Sequence, residues 1–337
     1  MSAPVQRAAT MADVARLAGV SVPTVSRVLS GTIPVSEDRR KAVESAVARL
    51  GFRPSAAARF LASRKPEVIA IVAGNTSQYG YAETIRGIEL AARGGGYTVM
   101  ITVVESTDDS EVDRALAATL TQAIAGVVVL KFDPPGVAAL QHVPADVPVV
   151  ALSGVREPGL PQAVLDETRA AEELTNALLD LGHATVHHVR VPPSRREDGR
   201  TTGWRRALRS HGATIPEVLD ASWDPASGRE IGRALAADPT VTAVFCGNDE
   251  IAMGVIRGLS DAGLSVPGDV SVAGFDDHPL AAMWVPAITT ARQDFEGLGR
   301  RGFRLLMDAV AGDTGRTFSS ERPTVIIRES TAPPRAR

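Results

Sequence analysis

The chain has 337 residues, 44 % of them hydrophobic and 22 % charged, which is too long for one ordinary core and too apolar for a disordered polymer. Its one cysteine, Cys246, excludes an intrachain disulfide and a four-thiolate metal site. The formal charge of -3 hides an asymmetry: residues 1–66 hold 11 Lys and Arg against 4 Asp and Glu, whereas the remainder holds 25 against 35, so only a small basic head is suited to a polyanion.

The opening MSAPVQRAAT has no apolar run, and residues 1–9 read as disordered. No segment reaches the roughly 18 uninterrupted apolar residues of a membrane helix, so a cytoplasmic protein without a membrane partner is expected. Thr10 then reads as an N-cap with Asp13 three positions on, and Met11, Val14, Ala15 and Ala18 follow at helical spacing. Gly19 ends that helix, and Ser21 caps a second whose Pro23 falls in the first turn, where a missing amide hydrogen costs little. Ser36 caps a third, with Glu37 and Asp38 in its first turn and Val43, Val47 and Leu50 on one face. Three short helices with a glycine turn between the first two predict an all-α helix-turn-helix unit over residues 10–53.

Within the second helix, Val25, Val28 and Leu29 are expected to turn inward, leaving Val22, Pro23, Ser26 and Arg27 on the face that a recognition helix offers the major groove. Arg27 can present its guanidinium fork to guanine, Thr24 and Ser26 suit phosphate oxygens, and Val22 and Pro23 can read only by apolar contact. The capping residues Thr10, Ser21 and Ser36 complete the candidate DNA-facing set. A plainer reading makes the hydroxyls mere caps and the arginine a solvated side chain; the basic charge confined to this segment argues against it. The small residues and flanking prolines of RPSAAARFLASRKP fit a linker over residues 54–66.

From Val68 onward, short apolar runs alternate with amphipathic stretches, the pattern of an α/β fold with parallel sheets flanked by helices. Strands are expected at VIAIVA, YTVMITVV, GVVVL, VPVVAL, TVHHVRV, VTAVFC and VSVAGF, with helices at YAETIRGIELAARG, EVDRALAATLTQAI, TRAAEELTNALLDLG and NDEIAMGVIRGLSDAG between them. About ten strands are too many for one open sheet, so two lobes are expected, with a break in REPGLP near Pro158 to Pro161. The tail SSERPTVIIRESTAPPRAR reads as one last strand followed by a flexible end at 331–337. Such lobes place a ligand in the cleft at the carboxyl ends of their strands.

An enzyme is one rival, since GLGRRG at Gly297 satisfies a dinucleotide G-x-G-x-x-G. Three residues separate it from the preceding strand, however, and no nucleophile elbow, P-loop or HExxH occurs. His187 and His188 point to opposite faces of a strand and the other histidines are scattered, so no metal site, cofactor or catalytic residue is assigned. An exported solute-binding protein would share the two-lobed body, but it fits poorly with a basic helical head.

The run TMADVARLAGVSVPTVSRVLSG, with VSEDRRKAVESAVARLGFRPSAAARFLAS after it, resembles the DNA-binding head and hinge of the LacI family of bacterial transcription regulators. LGH at Leu181, GWRRAL at Gly203, FCGNDEIAMG at Phe245 and SVAGFDDHPLA at Ser271 resemble that family's periplasmic-binding-protein-like effector domain in the expected order. The resemblance implies a homodimer on a palindromic operator and a hinge helix in the minor groove. Ser55, Ala58 and Leu61 fall in that hinge, with Leu61 as its apolar wedge. It implies a body over 67–330 whose first lobe takes 67–160 and 292–330 and whose second takes 161–291. Tyr81, Asp166, Arg200, Trp223, Asn248, Asp276 and Phe295 match positions that line the family's effector pocket. The two aromatic positions Trp223 and Phe295 are those that sugar-binding members use for stacking, so a saccharide effector is expected. The loop NTSQYGYAET and Lys131 depart from the common pattern and leave a non-sugar, anionic or phosphorylated ligand open. The function expected is a cytoplasmic, nucleoid-associated repressor without enzymatic activity, released from DNA by a small ligand.

Overall fold

Capping chemistry builds the head. In the computed structural model, which describes residues 9–30, 33–52, 66–157, 159–194, 198–313, 315 and 317–335, α1 (Met11–Ala18) starts with a reciprocal cap. The Asp13 amide donates to Thr10 Oγ1 at 3.3 Å and the Thr10 amide donates to Asp13 Oδ2 at 3.0 Å. Gly19, at φ 65°, turns the chain into α2 (Val22–Ser30). The third helix, α3 (Glu37–Leu50), has Ser36 at its N-cap position, but the Ser36 side chain makes no capping hydrogen bond. Val14, Ala15, Val25, Val43, Ala46 and Phe52 close the core, with Val28 at its edge. Leu29, expected inside, is 37 % exposed, because α1 and α3 cover only the Val25–Val28 side of the short helix. Ser55, Ala58 and Leu61 lie outside the described residues.

The chain divides into two compact units, Met1–Glu67 and Val68–Arg337. In the second, unbroken apolar runs become strands buried on both faces, as in β1 (Val68–Ala73). It is followed by α4 (Tyr79–Gly94), β2 (Thr98–Val103), α5 (Asp109–Leu120), β3 (Ile124–Leu130), α6 (Pro134–Gln141), β4 (Val149–Ser153) and β5 (Gln162–Leu165). With β11 (Phe318–Glu321) these strands form a six-stranded sheet in the order β11-β5-β4-β3-β1-β2, every pair parallel.

The second lobe runs through α7 (Glu167–Asp180), β6 (His187–Arg190), α8 (Gly199–Ser210), β7 (Leu219–Asp220), α9 (Pro225–Leu235), β8 (Ala243–Cys246), α10 (Asp249–Asp261) and β9 (Ser271–Ala273). Its sheet is parallel in the order β7-β6-β8-β9. Beside it, β10 (Thr290–Arg292) pairs antiparallel with β12 (Thr324–Ile326), and α11 (Phe295–Val310) returns to the first lobe. The chain therefore passes between lobes three times, near residues 166, 293 and 322.

Two parts of the expected lobe map change sides. Residues 162–165 belong to the first sheet, because β5 pairs with β4 and β11. Residues 324–335 belong with the second lobe: the Val272 amide donates to Ser330 O at 2.9 Å, and the Ala332 amide to Ser271 Oγ at 3.0 Å. The tail expected to be flexible from 331 is thus tied down as far as Arg335, which pairs with Asp269 at 2.7 Å. It also holds two short strands where one was expected.

GLGRRG lies inside α11, where Gly297 makes room for the capping Asp294, Gly302 for Leu152 of β4 and Gly299 for the backbone of α4. A Cβ on Gly299 would stand 2.3 Å from Thr84 O, and one on Gly87 of α4 would stand 2.1 Å from Glu296 O, so the two backbones meet too closely for any side chain. Among the described residues no helix is long and apolar enough to cross a membrane.

Candidate functional site

The head offers one face of α2. Val22 is 40 % exposed, Pro23 and Arg27 are exposed, and Thr24 and Ser26 are half-buried. Ser21 Oγ and Thr24 Oγ1 lie 2.9 Å apart, which ties the first turn together, while Thr10 is engaged in its own cap. Arg27 thus stands on the helix face where apolar residues flank a fork-shaped donor, the chemistry suited to a base edge.

In the body, a cleft of about 870 Å³ opens where the carboxyl ends of the two sheets face each other. Its first-lobe wall is aromatic. The ring of Tyr81 lies 5.1 Å from Phe132, Phe295 lies 5.9 Å from Tyr79 and 6.4 Å from Phe132, each pair edge to face. The glycine at position 80 leaves room for Phe295, since a Cβ there would touch its ring at 2.9 Å. Trp223, half-buried against the second-lobe core, lines the other side.

The polar groups come from loops after the strands. Arg200, in the first turn of α8, donates from Nη2 to Glu167 Oε1 at 2.8 Å, lies 3.3 Å from Asp276 Oδ1, and donates from Nη1 to Gly247 O. Its guanidinium also covers the Phe275 ring at 4.5 Å. Burial works against its charge, but Glu167 and Asp276 outweigh that and hold Arg200 above its ordinary pKa. Burial pushes the Asp276 carboxyl up to about 7, against the pull of Arg200 and of Gln293 Nε2, which donates to Asp276 Oδ1 at 2.8 Å. Asn248 caps α10, its Oδ1 accepting from the Ile251 amide at 2.8 Å and its Nδ2 donating to Glu250 at 3.2 Å.

Asp276 and Asp277 have φ of 104° and 57°, a left-handed pair that needs external ties. Asp277 accepts from Arg292 Nε at 2.7 Å and from Arg328 Nη2 at 2.6 Å, while the His278 amide donates to Asp249 Oδ2 at 2.7 Å. The cleft residue Asp276 is therefore anchored to β10 and to the chain just after β12, beside the inter-lobe passages.

Tyr81, Arg200, Trp223, Asn248, Asp276 and Phe295 all line the cleft. Asp166 does not: its carboxylate caps α7, accepting from the Arg169 amide at 3.2 Å, and it lines a separate groove with Arg156, Arg169 and Arg206. The next residue, Glu167, takes its place in the cleft. Sequence reasoning also missed Tyr79, Phe132, Glu157, Asp198 and Glu250, although Phe132 and Glu250 lie just past strand ends, where the fold rule would have pointed.

Residues 10–55 match the family described as bacterial regulatory proteins, lacI family, and residues 175–331 match a periplasmic binding protein-like domain. The chain is 33 % identical over 333 residues to catabolite control protein A of Priestia megaterium, covering 96 % of this chain and 99 % of that protein. It is 32 % identical over 333 residues to the HTH-type transcriptional repressor PurR of Pectobacterium carotovorum subsp. carotovorum, covering 96 % and 97 %. Among solved structures, the lac repressor dimer bound to operator and the anti-inducer ONPF superposes with a TM-score of 0.89 at 25 % identity, covering 97 % of this chain and 100 % of that one. The complex of the transcriptional regulator CelR with cellobiose gives 0.71 at 28 % identity, covering 96 % and 99 %.

Proposed function

Because the chain belongs to the lacI family of bacterial regulatory proteins, we propose that it is an operator-binding transcriptional repressor whose hold on DNA is set by a small saccharide in the inter-lobe cleft. The observation that carries this reading is the presence, in one chain, of a basic helix-turn-helix head and a cleft with an aromatic wall facing a hydrogen-bonding one. Sugars match such a cleft, since their C–H faces stack on rings while their hydroxyls pair with carboxylate, guanidinium and amide groups.

In this reading α2 enters the major groove, and a second copy places its own α2 in the adjacent half-site about 34 Å away. In the same reading the linker over residues 54–66, with Ser55, Ala58 and Leu61, contacts the minor groove. Leu280, Met283 and Val285, exposed by 52 %, 74 % and 87 %, form with Trp284 an exposed apolar stretch, the surface that a second copy covers in this reading. Ligand held by both walls closes the lobes about their three passages and shifts the segment that carries the heads. A DNA partner places the working protein in the cytoplasm, at the nucleoid.

The test is a gel-shift assay on fragments of the source genome, with and without saccharides such as cellobiose. A discrete shift that survives competitor DNA and is relieved by one saccharide is expected. No preference among fragments, whatever is added, removes the reading.

A further inference from the structure

Lys131 follows β3 into the cleft, where its side chain is 7 % exposed and its ammonium is ion-paired with Glu157. The loop that brings Glu157 there is fixed by Gln162, which is 2 % exposed: the Glu157 amide donates to Gln162 Oε1 at 3.2 Å, and Gln162 Nε2 donates back to Glu157 O. Ser153 Oγ, donating to Val155 O at 2.8 Å, braces the same loop. Among the described lining residues the other cation is Arg200, already engaged by Glu167 and Asp276, while Asp198 and Glu250 add two further carboxylates. The cleft thus holds more acid than base, and neither cation faces a ligand without its own carboxylate beside it.

Resting on the effector-cleft reading, we infer that the Lys131–Glu157 pair is a charge lock that reserves the cleft for uncharged ligands and turns phosphorylated ones away. A phosphate reaching the ammonium brings a dianion against Glu157, whether it displaces that carboxylate or shares the ammonium with it; the Glu157 side chain is 37 % exposed, so solvent weakens this repulsion without removing it. A neutral hydroxyl meets no such repulsion. Lys131 by itself therefore marks no anion site; its partner, remote in sequence, reverses its meaning.

Glu157→Gln keeps the shape of the side chain and removes its charge. Calorimetric titration of the full-length parent and variant with cellobiose, glucose, glucose 6-phosphate and inorganic phosphate tests the lock. The parent is expected to ignore both phosphorylated probes. The variant is expected to bind them at least about tenfold more tightly, the scale of one charge-assisted hydrogen bond, and to lose that gain as salt is added. Glu157→Ala serves as a second variant should the glutamine form fail to fold. Glucose 6-phosphate binding to the parent as tightly as glucose overturns the inference, and so does a folded variant with no gain. The inorganic phosphate arm needs no sugar, so silence toward every neutral saccharide alongside a phosphate gain would sink the saccharide reading and leave the lock standing.

Discussion

Arg27 and Asp276 show how single side chains divide the work. Replacing Arg27 by Ala removes the one exposed guanidinium of α2 among the described residues, which should cost about 1–3 kcal/mol and relax discrimination at one base pair. Competition binding with operators altered one position at a time measures this, and unchanged selectivity would show that Arg27 reads no base. Asp276 carries a pH signature. An acid whose folded-state pKa, here about 7, stands above its unfolded value near 4 stabilises the fold while protonated. That contribution is complete below about pH 4 and is lost as the pH rises through about 7. Asp276→Asn cannot ionise, so its stability in urea should fall less than the parent's between about pH 5 and about pH 8. Parallel losses in the two proteins would contradict the assignment.

At the scale of elements, close approach and capping decide what the chain can tolerate. The α4–α11 contact has backbone where a side chain would otherwise stand, so Gly299→Ala must push Thr84 O away from a position 2.3 Å from the new Cβ. The expected cost is about 1–3 kcal/mol, read as a lowered denaturation midpoint at unchanged slope. A neutral result would mean that the helices separate freely. The same contact helps explain why a pattern that satisfies a dinucleotide motif holds no nucleotide loop: it lies within a helix, where Gly299 meets the α4 backbone, Gly302 meets Leu152 and Gly297 makes room for the capping Asp294. Periodicity revealed α4, α5, α7 and α10 because each has a continuous apolar stripe. It missed α6 and α9, whose first residues Pro134 and Pro225 look like breaks but occupy the one helical turn that accepts proline.

For the whole molecule, the exposed apolar residues around Met283 and Val285 and the cleft are the two surfaces on which the proposed switch depends. The double substitution Met283→Glu and Val285→Glu places two charges on residues 74 % and 87 % exposed, so it should leave the fold intact while shifting sedimentation from dimer to monomer. Operator affinity should fall with it, because a monomer reads only one half-site. A stable dimer would place the partner on another face.

The Thr10 cap and the parallel α/β pattern could be read from the sequence alone, because capping and strand burial are local rules repeated along the chain, whereas the cleft residues were legible only through the resemblance to the lacI family. Asp13 three residues after Thr10 already specifies a cap, and VIAIVA already specifies a buried strand. Tertiary structure alone decided which neighbour of a pair faces the cleft, as with Asp166 capping a helix while Glu167 reaches Arg200. It also set the lobe membership of β5 and the tail, and it gave Lys131 its counter-charge. Those outcomes depend on contacts between residues distant in the chain, 26 positions for Lys131 with Glu157 and 61 for Ala332 with Ser271, and their energies exist only once the chain has brought them together.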